Sequence, residues 1–207
     1  MAISTYAELQ LSIAAFLNRE DLGTQIPDFI ALAEARFNRE LRVNAMMQRD
    51  TATASSDYVA LPSDWLQISS IMVTSPANTY SALTYISPDE YFNLKNDGLA
   101  NTPRYYTIID TNVLLLPAPS SEISLEMIYY GKIPALSDGN TSNWLLSRSP
   151  DLYLYGSLLQ AEAYLVNDER VPLWAGAVDK VIADMNLESE RARRPQGALM
   201  TRKRTFG

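Results

Sequence analysis

The chain has 207 residues, 47% hydrophobic and 20% charged, so it is long enough to build a core and too apolar to be disordered throughout. It contains no Cys and no His, which excludes disulfides, thiolate metal sites, Ser–His and Cys–His triads and the commonest general base. No run approaches 18 uninterrupted apolar residues and no basic segment precedes the first apolar stretch, so the sequence predicts no membrane-spanning helix and no signal peptide, and a protein made in the cytoplasm.

The net charge of −7 is distributed unevenly along the chain. Residues 191–207 hold six of the 17 basic residues and no acid, which leaves 24 acids against 11 bases in residues 1–190. An acidic body repels nucleic acid, whereas a basic arm can bind DNA, RNA or an acidic protein surface. A solvated chain end is the alternative interpretation of the same charges.

Two helices are predicted at the N-terminus. Thr5 and Glu8 have the spacing of a capping box and open a helix over 5–18. Pro27 lies in the first turn of a second, amphipathic helix over 25–48. The arginines of this second helix form either a solvated face with local ion pairs or a binding surface.

From about residue 51 the sequence changes to short β-like runs separated by turn residues. Strands are predicted on both sides of the turn at Pro62, a hairpin is predicted around Asp110–Asn112, and another strand follows at 122–133. Between them, Ser87 and Pro88 predict the start of a short helix.

Helical patterns return at 142. Ser149 is a candidate N-cap and Pro150 a candidate first residue of a helix over 150–166 that is apolar on all sides. Such a helix is buried all round, either by its own bundle or between this bundle and a neighbouring subunit. Asp168 is predicted to cap a last helix, over 168–194, that Pro195 ends.

The predicted fold class is therefore α+β. Residues 1–50 form an N-terminal helical pair, 51–135 an inserted small antiparallel β unit, 136–194 a C-terminal helical pair that completes the bundle, and 195–207 an extended basic arm.

No motif for catalysis is present. The eight glycines form no phosphate-binding loop, and no G-x-S-x-G elbow occurs. The acidic clusters lie at helix ends, and the segments "DTN" at 110–112 and "DGN" at 138–140 lack the bidentate Glu of a calcium loop, so both are predicted to be turns. We expect no catalytic residue, cofactor or metal site, and the protein is predicted not to be an enzyme. An enzyme that uses carboxylates alone stays open as a remote alternative.

Four segments in order, "IPDFIALAEARFNRELR", "LTYISPDEYF", "TPRYYTI" and "IYYGKIPALSDGNTSNWLLSRSPDLYLYGSLLQAEAYL", resemble the head-to-tail adaptor proteins of tailed bacteriophages and the related tail tubular proteins of short-tailed phages. The resemblance implies a structural virion protein. It implies a ring of about twelve copies of the chain, placed between the portal of the DNA-filled head and the tail nozzle. DNA would pass through the lumen without sequence-specific binding, and no membrane is involved. A nucleic-acid-binding or regulatory protein with a basic arm is the alternative from a different class.

Two sets of residues are candidates for contacts. The candidate subunit contacts are Arg36, Arg39, Arg42, Arg148, Tyr153 and Tyr155. The candidate portal-binding arm consists of Arg191, Arg193, Arg194, Leu199, Met200, Arg202, Lys203, Arg204 and Phe206. Its apolar residues alternate with basic ones, as expected of an arm that orders when it binds an acidic groove.

Overall fold

The computed structural model describes residues 3–19, 21–74, 81–95, 102–164 and 169–193. The chain folds into two compact units: Met1–Asn44 with Ala135–Gly207, here the helical unit, and Ala45–Pro134, here the β unit. Helices and mostly antiparallel sheets together confirm the predicted α+β class.

The described α-helices are, in chain order, α1 (Tyr6–Leu17), α2 (Ile26–Glu40), α3 (Pro88–Lys95), α4 (Trp144–Arg148), α5 (Pro150–Gln160) and α6 (Val171–Arg193). Single 3₁₀ turns span Asn44–Met46 and Ala161–Tyr164. The strands are β1 (Met47–Ala54), β2 (Tyr58–Ala60), β3 (Trp65–Val73), β4 (Ser81–Ala82), β5 (Thr84–Tyr85), β6 (Tyr105–Ile109), β7 (Asn112–Leu116) and β8 (Ile123–Gly131).

The predicted capping box of α1 is confirmed. The Thr5 hydroxyl accepts a hydrogen bond from the Glu8 amide at 3.3 Å, and the Glu8 carboxylate accepts one from the Thr5 amide at 3.0 Å. At the other end Asn18 takes a left-handed conformation (φ 52°), and its amide satisfies the last carbonyls. Local sequence therefore determines both ends of this helix.

The prediction of a helix over 25–48 is wrong in its last third. α2 ends at Glu40, Leu41 is extended, and β1 begins at Met47. All eight residues of β1 pair antiparallel with β8, from Met47 opposite Tyr130 to Ala54 opposite Ile123. Pairing with a strand about 80 residues later overrides the local helical pattern, which the spacing of residues 41–48 alone could not reveal.

The apolar helix α5 is buried inside its own unit. Leu152, Tyr153 and Leu158 have no exposed surface, and α5 packs against α1, α2, α4 and α6. Pro150 is at the first turn as predicted, but the Ser149 hydroxyl does not cap the helix and instead donates to Met185 Sδ at 3.6 Å. The α-helix ends at Gln160 rather than continuing to 166. Of the two interpretations, burial within the chain is correct.

α6 packs on this core through one stripe. Trp174, Val178, Ile182, Met185 and Ser189 are buried at helical spacing. The proposed cap Asp168 and the stop at Pro195 lie outside the described residues.

The β unit consists of two four-stranded sheets that share one core. Their orders are β1-β8-β3-β4 and β2-β7-β6-β5, with β5 parallel to β6 and the remaining pairs antiparallel. Buried residues from both sheets form this core, among them Val59, Ile71, Val113, Leu115, Leu125 and Met127. The predicted hairpin is confirmed as β6–β7, whose two-residue turn has Asp110 at φ 56°. The short helix α3 is confirmed too, with Ser87 accepting from the Glu90 amide.

Two helical glycines provide a matched test of packing in the helical unit. A Cβ at Gly156 would lie 2.6 Å from Phe37 Cζ, whereas a Cβ at Gly176 would meet nothing within 4 Å. We expect Gly156→Ala to lower the free energy of unfolding by about 1–3 kcal/mol through overpacking. Gly176→Ala should raise it by up to ~1 kcal/mol through helix propensity. Urea denaturation of both variants checks this, and a shift in the same direction for both would contradict it.

Candidate interaction surfaces

The described residues contain no sign of a catalytic or metal centre. No group of three or more potential metal-ligating side chains occurs among them. Within the same residues, no helix is both long and apolar enough to cross a membrane. Burial raises the pKa of the Glu34 carboxyl group, and the donors bonded to it are the Leu136 amide and the Tyr153 hydroxyl rather than a second acid.

Glu34 is the centre of a buried hydrogen-bond network. Its Oε1 accepts from the Leu136 amide and from the Tyr153 hydroxyl, both at 2.9 Å. Asn143 Nδ2 donates to the same hydroxyl at 2.7 Å, and Asn143 Oδ1 caps α4 at the Leu146 amide. Burial raises the pKa of Glu34, while the two donated hydrogen bonds oppose the shift. The network joins α2 to α4 and α5, which is a structural role.

The interpretation of Tyr153 as a subunit contact is therefore wrong. Its ring packs edge-on against Phe37, with centroids 5.4 Å apart, and its side chain has no exposed surface. Burial and the neighbouring Glu34 both raise the pKa of its hydroxyl. Tyr155, also a candidate, is half-buried and keeps some surface for a partner.

Three of the four candidate arginines are bonded within the helical unit. Arg36 pairs with Glu40 at 2.9 Å and with Asp179 of α6 at 2.6 Å, and Arg148 pairs with Glu188 at 2.8 Å. Arg42 donates to the carbonyl oxygens of Asn38 and Leu41. Arg39 is exposed and has no ion pair with any residue in the described ranges. The sequence could not reveal the partners Asp179 and Glu188, because both lie on another helix.

The arm candidates divide between two regions. Arg191 and Arg193 lie in the last turn of α6, where positive charge complements the helix dipole, and Arg193 Nε donates to Asn44 Oδ1 at 2.6 Å. The other seven, Arg194, Leu199, Met200, Arg202, Lys203, Arg204 and Phe206, lie outside the described residues.

Large apolar side chains are exposed in both units, and those of the helical unit include residues of α1 and α6. Leu11 and Phe16 of α1 are 65% and 47% exposed, and Leu173 and Leu187 of α6 are 72% and 43% exposed. These surfaces were not predicted, because only α5 was recognised from the sequence as apolar on all sides. The available signal was that α1 contains one charged residue, Glu8, in twelve.

The β unit carries an open depression that is lined by apolar and acidic side chains. Its volume is about 300 Å³, and it is lined by Asp57, Tyr58, Ile109, Asp110, Asn112 and Leu114. Tyr58 is exposed, and Asp57 is paired with Lys95 at 2.9 Å. This shape fits contact with another protein better than it fits enclosure of a small substrate.

Exposed apolar side chains of this kind are typical of surfaces that bind other proteins, and comparison with known families supports that interpretation. The sequence model of the SU10 adaptor protein family matches residues 4–202. The chain belongs to that family. The family is one of phage adaptor proteins, so the match confirms the resemblance seen in the sequence and supports a structural role in the virion. No curated protein sequence matches the adaptor.

The buried carboxyl group of the adaptor predicts a specific pH dependence. Folding raises the pKa of Glu34. At a pH between its unfolded-state and folded-state pKa values, the carboxyl group is therefore protonated in the folded chain and ionised in the unfolded chain. The stability that this group contributes is thus fully present below the unfolded-state pKa and is lost as pH rises through the raised pKa. Glu34→Gln keeps an acceptor oxygen and has no charge.

We expect the unfolding free energy of Glu34→Gln, relative to wild type, to increase as the pH rises from about 4 to about 7. Urea denaturation at a series of pH values measures it. Glu162→Gln, which changes an exposed carboxyl in the same unit, is the control and should follow wild type. A difference between Glu34→Gln and wild type that is constant with pH would contradict the prediction.

Proposed function

We propose that the adaptor assembles into a ring of about twelve copies between the portal of the DNA-filled head and the tail nozzle. The observation that carries the proposal is the match to a phage adaptor family over residues 4–202. The exposed apolar helix faces of the helical unit support it, because large apolar side chains in water are typical of surfaces that a partner covers.

Charge supports a lumen through which DNA passes without being held. The chain has a net charge of −7, and its β unit contains nine acids against four bases. Such a surface repels phosphate groups, which is useful in a channel that must release DNA. The tail nozzle, in turn, would contact acidic and apolar surfaces such as the depression that includes Tyr58 and Asp110.

The C-terminal arm is proposed to dock on the portal. Residues 195–207 carry Arg202, Lys203 and Arg204 and no acid, and the apolar residues Leu199, Met200 and Phe206 are interspersed with them. The positive charges would speed the encounter with an acidic groove, and the apolar side chains would determine how long the complex lasts.

The first test measures assembly directly. We expect mass photometry to detect mainly monomers of the purified adaptor and a discrete ring after the cognate portal protein is added. Cyclic closure requires heterologous contacts, so a portal that presents identical sites side by side would hold copies in the orientation that closes. A stable dimer that ignores the portal would contradict the proposal.

The second test concerns the arm. Deleting residues 195–207 should leave the melting temperature nearly unchanged and abolish portal binding in biolayer interferometry. As a matched variant, Leu199→Ser, Met200→Ser and Phe206→Ser together keep every charge, so association should stay fast and salt-sensitive while dissociation accelerates.

Two outcomes of this second test would reject the arm. If the deletion variant binds the portal with wild-type affinity, residues 195–207 are a solvated chain end and not a docking arm. Salt-dependent DNA binding that disappears with the deletion would instead favour the nucleic-acid-binding alternative.

A further inference from the structure

α1 presents an apolar face that no described residue of its own unit covers. Leu9, Ile13 and Leu17 face the core, while Ala7, Leu11 and Ala15, four residues apart on the opposite side, are exposed; these three are called the α1 face. The one charged residue of the helix, Glu8, is bonded to Ser4 and Thr5 in the cap. An acidic chain thus has one helix surface almost free of charge.

α6 has a second exposed stripe beside its buried one. Leu173, Gly176, Lys180, Ala183 and Leu187 follow one another at intervals of three or four residues, and all are exposed; they are called the α6 stripe. This is the spacing by which one helix packs along another. At Gly176 an added Cβ would have no atom within 4 Å, so the stripe has an open notch near its centre.

One copy cannot cover its own α1 face with its own α6 stripe. α5 packs against both helices, α2 packs on α1, and the Arg36–Asp179 ion pair fixes α2 to α6. The two faces are therefore on separate helices that the same core holds in place. A cyclic assembly requires two such different faces on each copy, because its contacts are heterologous.

The two faces are compatible in charge. Glu8, at the edge of the α1 face, is the only charge of that helix, and Lys180 is the only basic residue between Leu173 and Leu187. Lys180 is thus the single charge of the stripe, and the exposed Asp184 lies one turn further along α6. Two acidic chains can approach through these faces without repulsion, as they could not through most of their remaining surface.

We propose that the α1 face of one copy packs along the α6 stripe of the next copy in the ring, with Leu11 entering the notch at Gly176. The inference rests on the proposed ring function and identifies its subunit interface. Small residues on both sides, Ala7 and Ala15 against Gly176 and Ala183, allow the helix axes to approach closely.

The size of the contact explains why copies would need the portal. A helix of twelve residues is about 18 Å long, so a face ~10 Å wide covers roughly 180 Å². Stable interfaces bury about 800 Å² on each partner. This contact alone is too small for a lasting dimer, and it becomes effective once neighbours are held side by side.

A glycine variant separates the interface from the fold. Gly176→Gln has room in the isolated helical unit and adds helix propensity, so its melting temperature should equal or exceed that of wild type. In the ring the new side chain would fill the notch, and portal-dependent assembly should fall by at least roughly ten-fold. Gly139→Gln, in an exposed loop where the nearest atom to an added Cβ is 3.9 Å away, is the control and should assemble like wild type.

Cross-linking locates the contact, and the absence of native Cys makes it unambiguous. The double variant Leu11→Cys/Ala183→Cys, assembled on portal and treated with a short bismaleimide, should give a ladder of covalent oligomers up to the full ring. Either single variant should give none, because a heterologous contact joins unlike positions. Leu11→Cys/Gly139→Cys is the matched control and should also give none.

The outcomes distinguish the interface from the ring itself. Portal-dependent rings of the double variant without a ladder, or normal assembly of Gly176→Gln, would overturn this interface and leave the proposed function intact. If mass photometry finds no ring even for wild type with portal, the proposed function fails and the interface fails with it.

Discussion

The close approach of α5 to α2 is the constraint on which the helical unit depends. Gly156 has no side chain at the point where the Phe37 ring contacts α5. A Cβ at this position would lie within 3.0 Å of two atoms of that ring. The same proximity places the Tyr153 ring edge-on to Phe37 and its hydroxyl on Glu34. A polar network in the interior is stabilising only when each member is satisfied, and here helix spacing satisfies it. The burial of α5 and the hydrogen bonding of Glu34 therefore both depend on the close packing of α5 on α2.

Much of the fold could be predicted because its signals are local. The capping box at Thr5 and Glu8, the first-turn Pro150 and the hairpin turn at Asp110 each depend on residues within a few positions. The end of α2 could not be predicted in this way, because residues 47–54 pair with β8 far along the chain. Propensity describes a segment in isolation, and strand pairing is a property of two segments.

The candidate contact residues show a similar division. The sequence identified arginines on an amphipathic helix but could not tell an intramolecular ion pair from a free cation, since Arg36 and Arg148 find partners on α6. It identified α5 as an all-apolar helix, which the bundle surrounds, but it did not identify the exposed apolar side of α1. Composition shows that an apolar helix favours burial, but the arrangement of the neighbouring helices decides which of its sides the chain itself covers.

The division of the helical unit between Met1–Asn44 and Ala135–Gly207 has a consequence for synthesis on the ribosome. Translation at about 5–20 residues per second places several seconds between the emergence of α2 and that of α5. During that interval Phe37 and Glu34 lack the helix that will enclose them. The β unit, by contrast, is continuous from Ala45 to Pro134 and can complete its core first. The buried sides of α1 and α2 therefore lack their main packing partner until α5 has been synthesised.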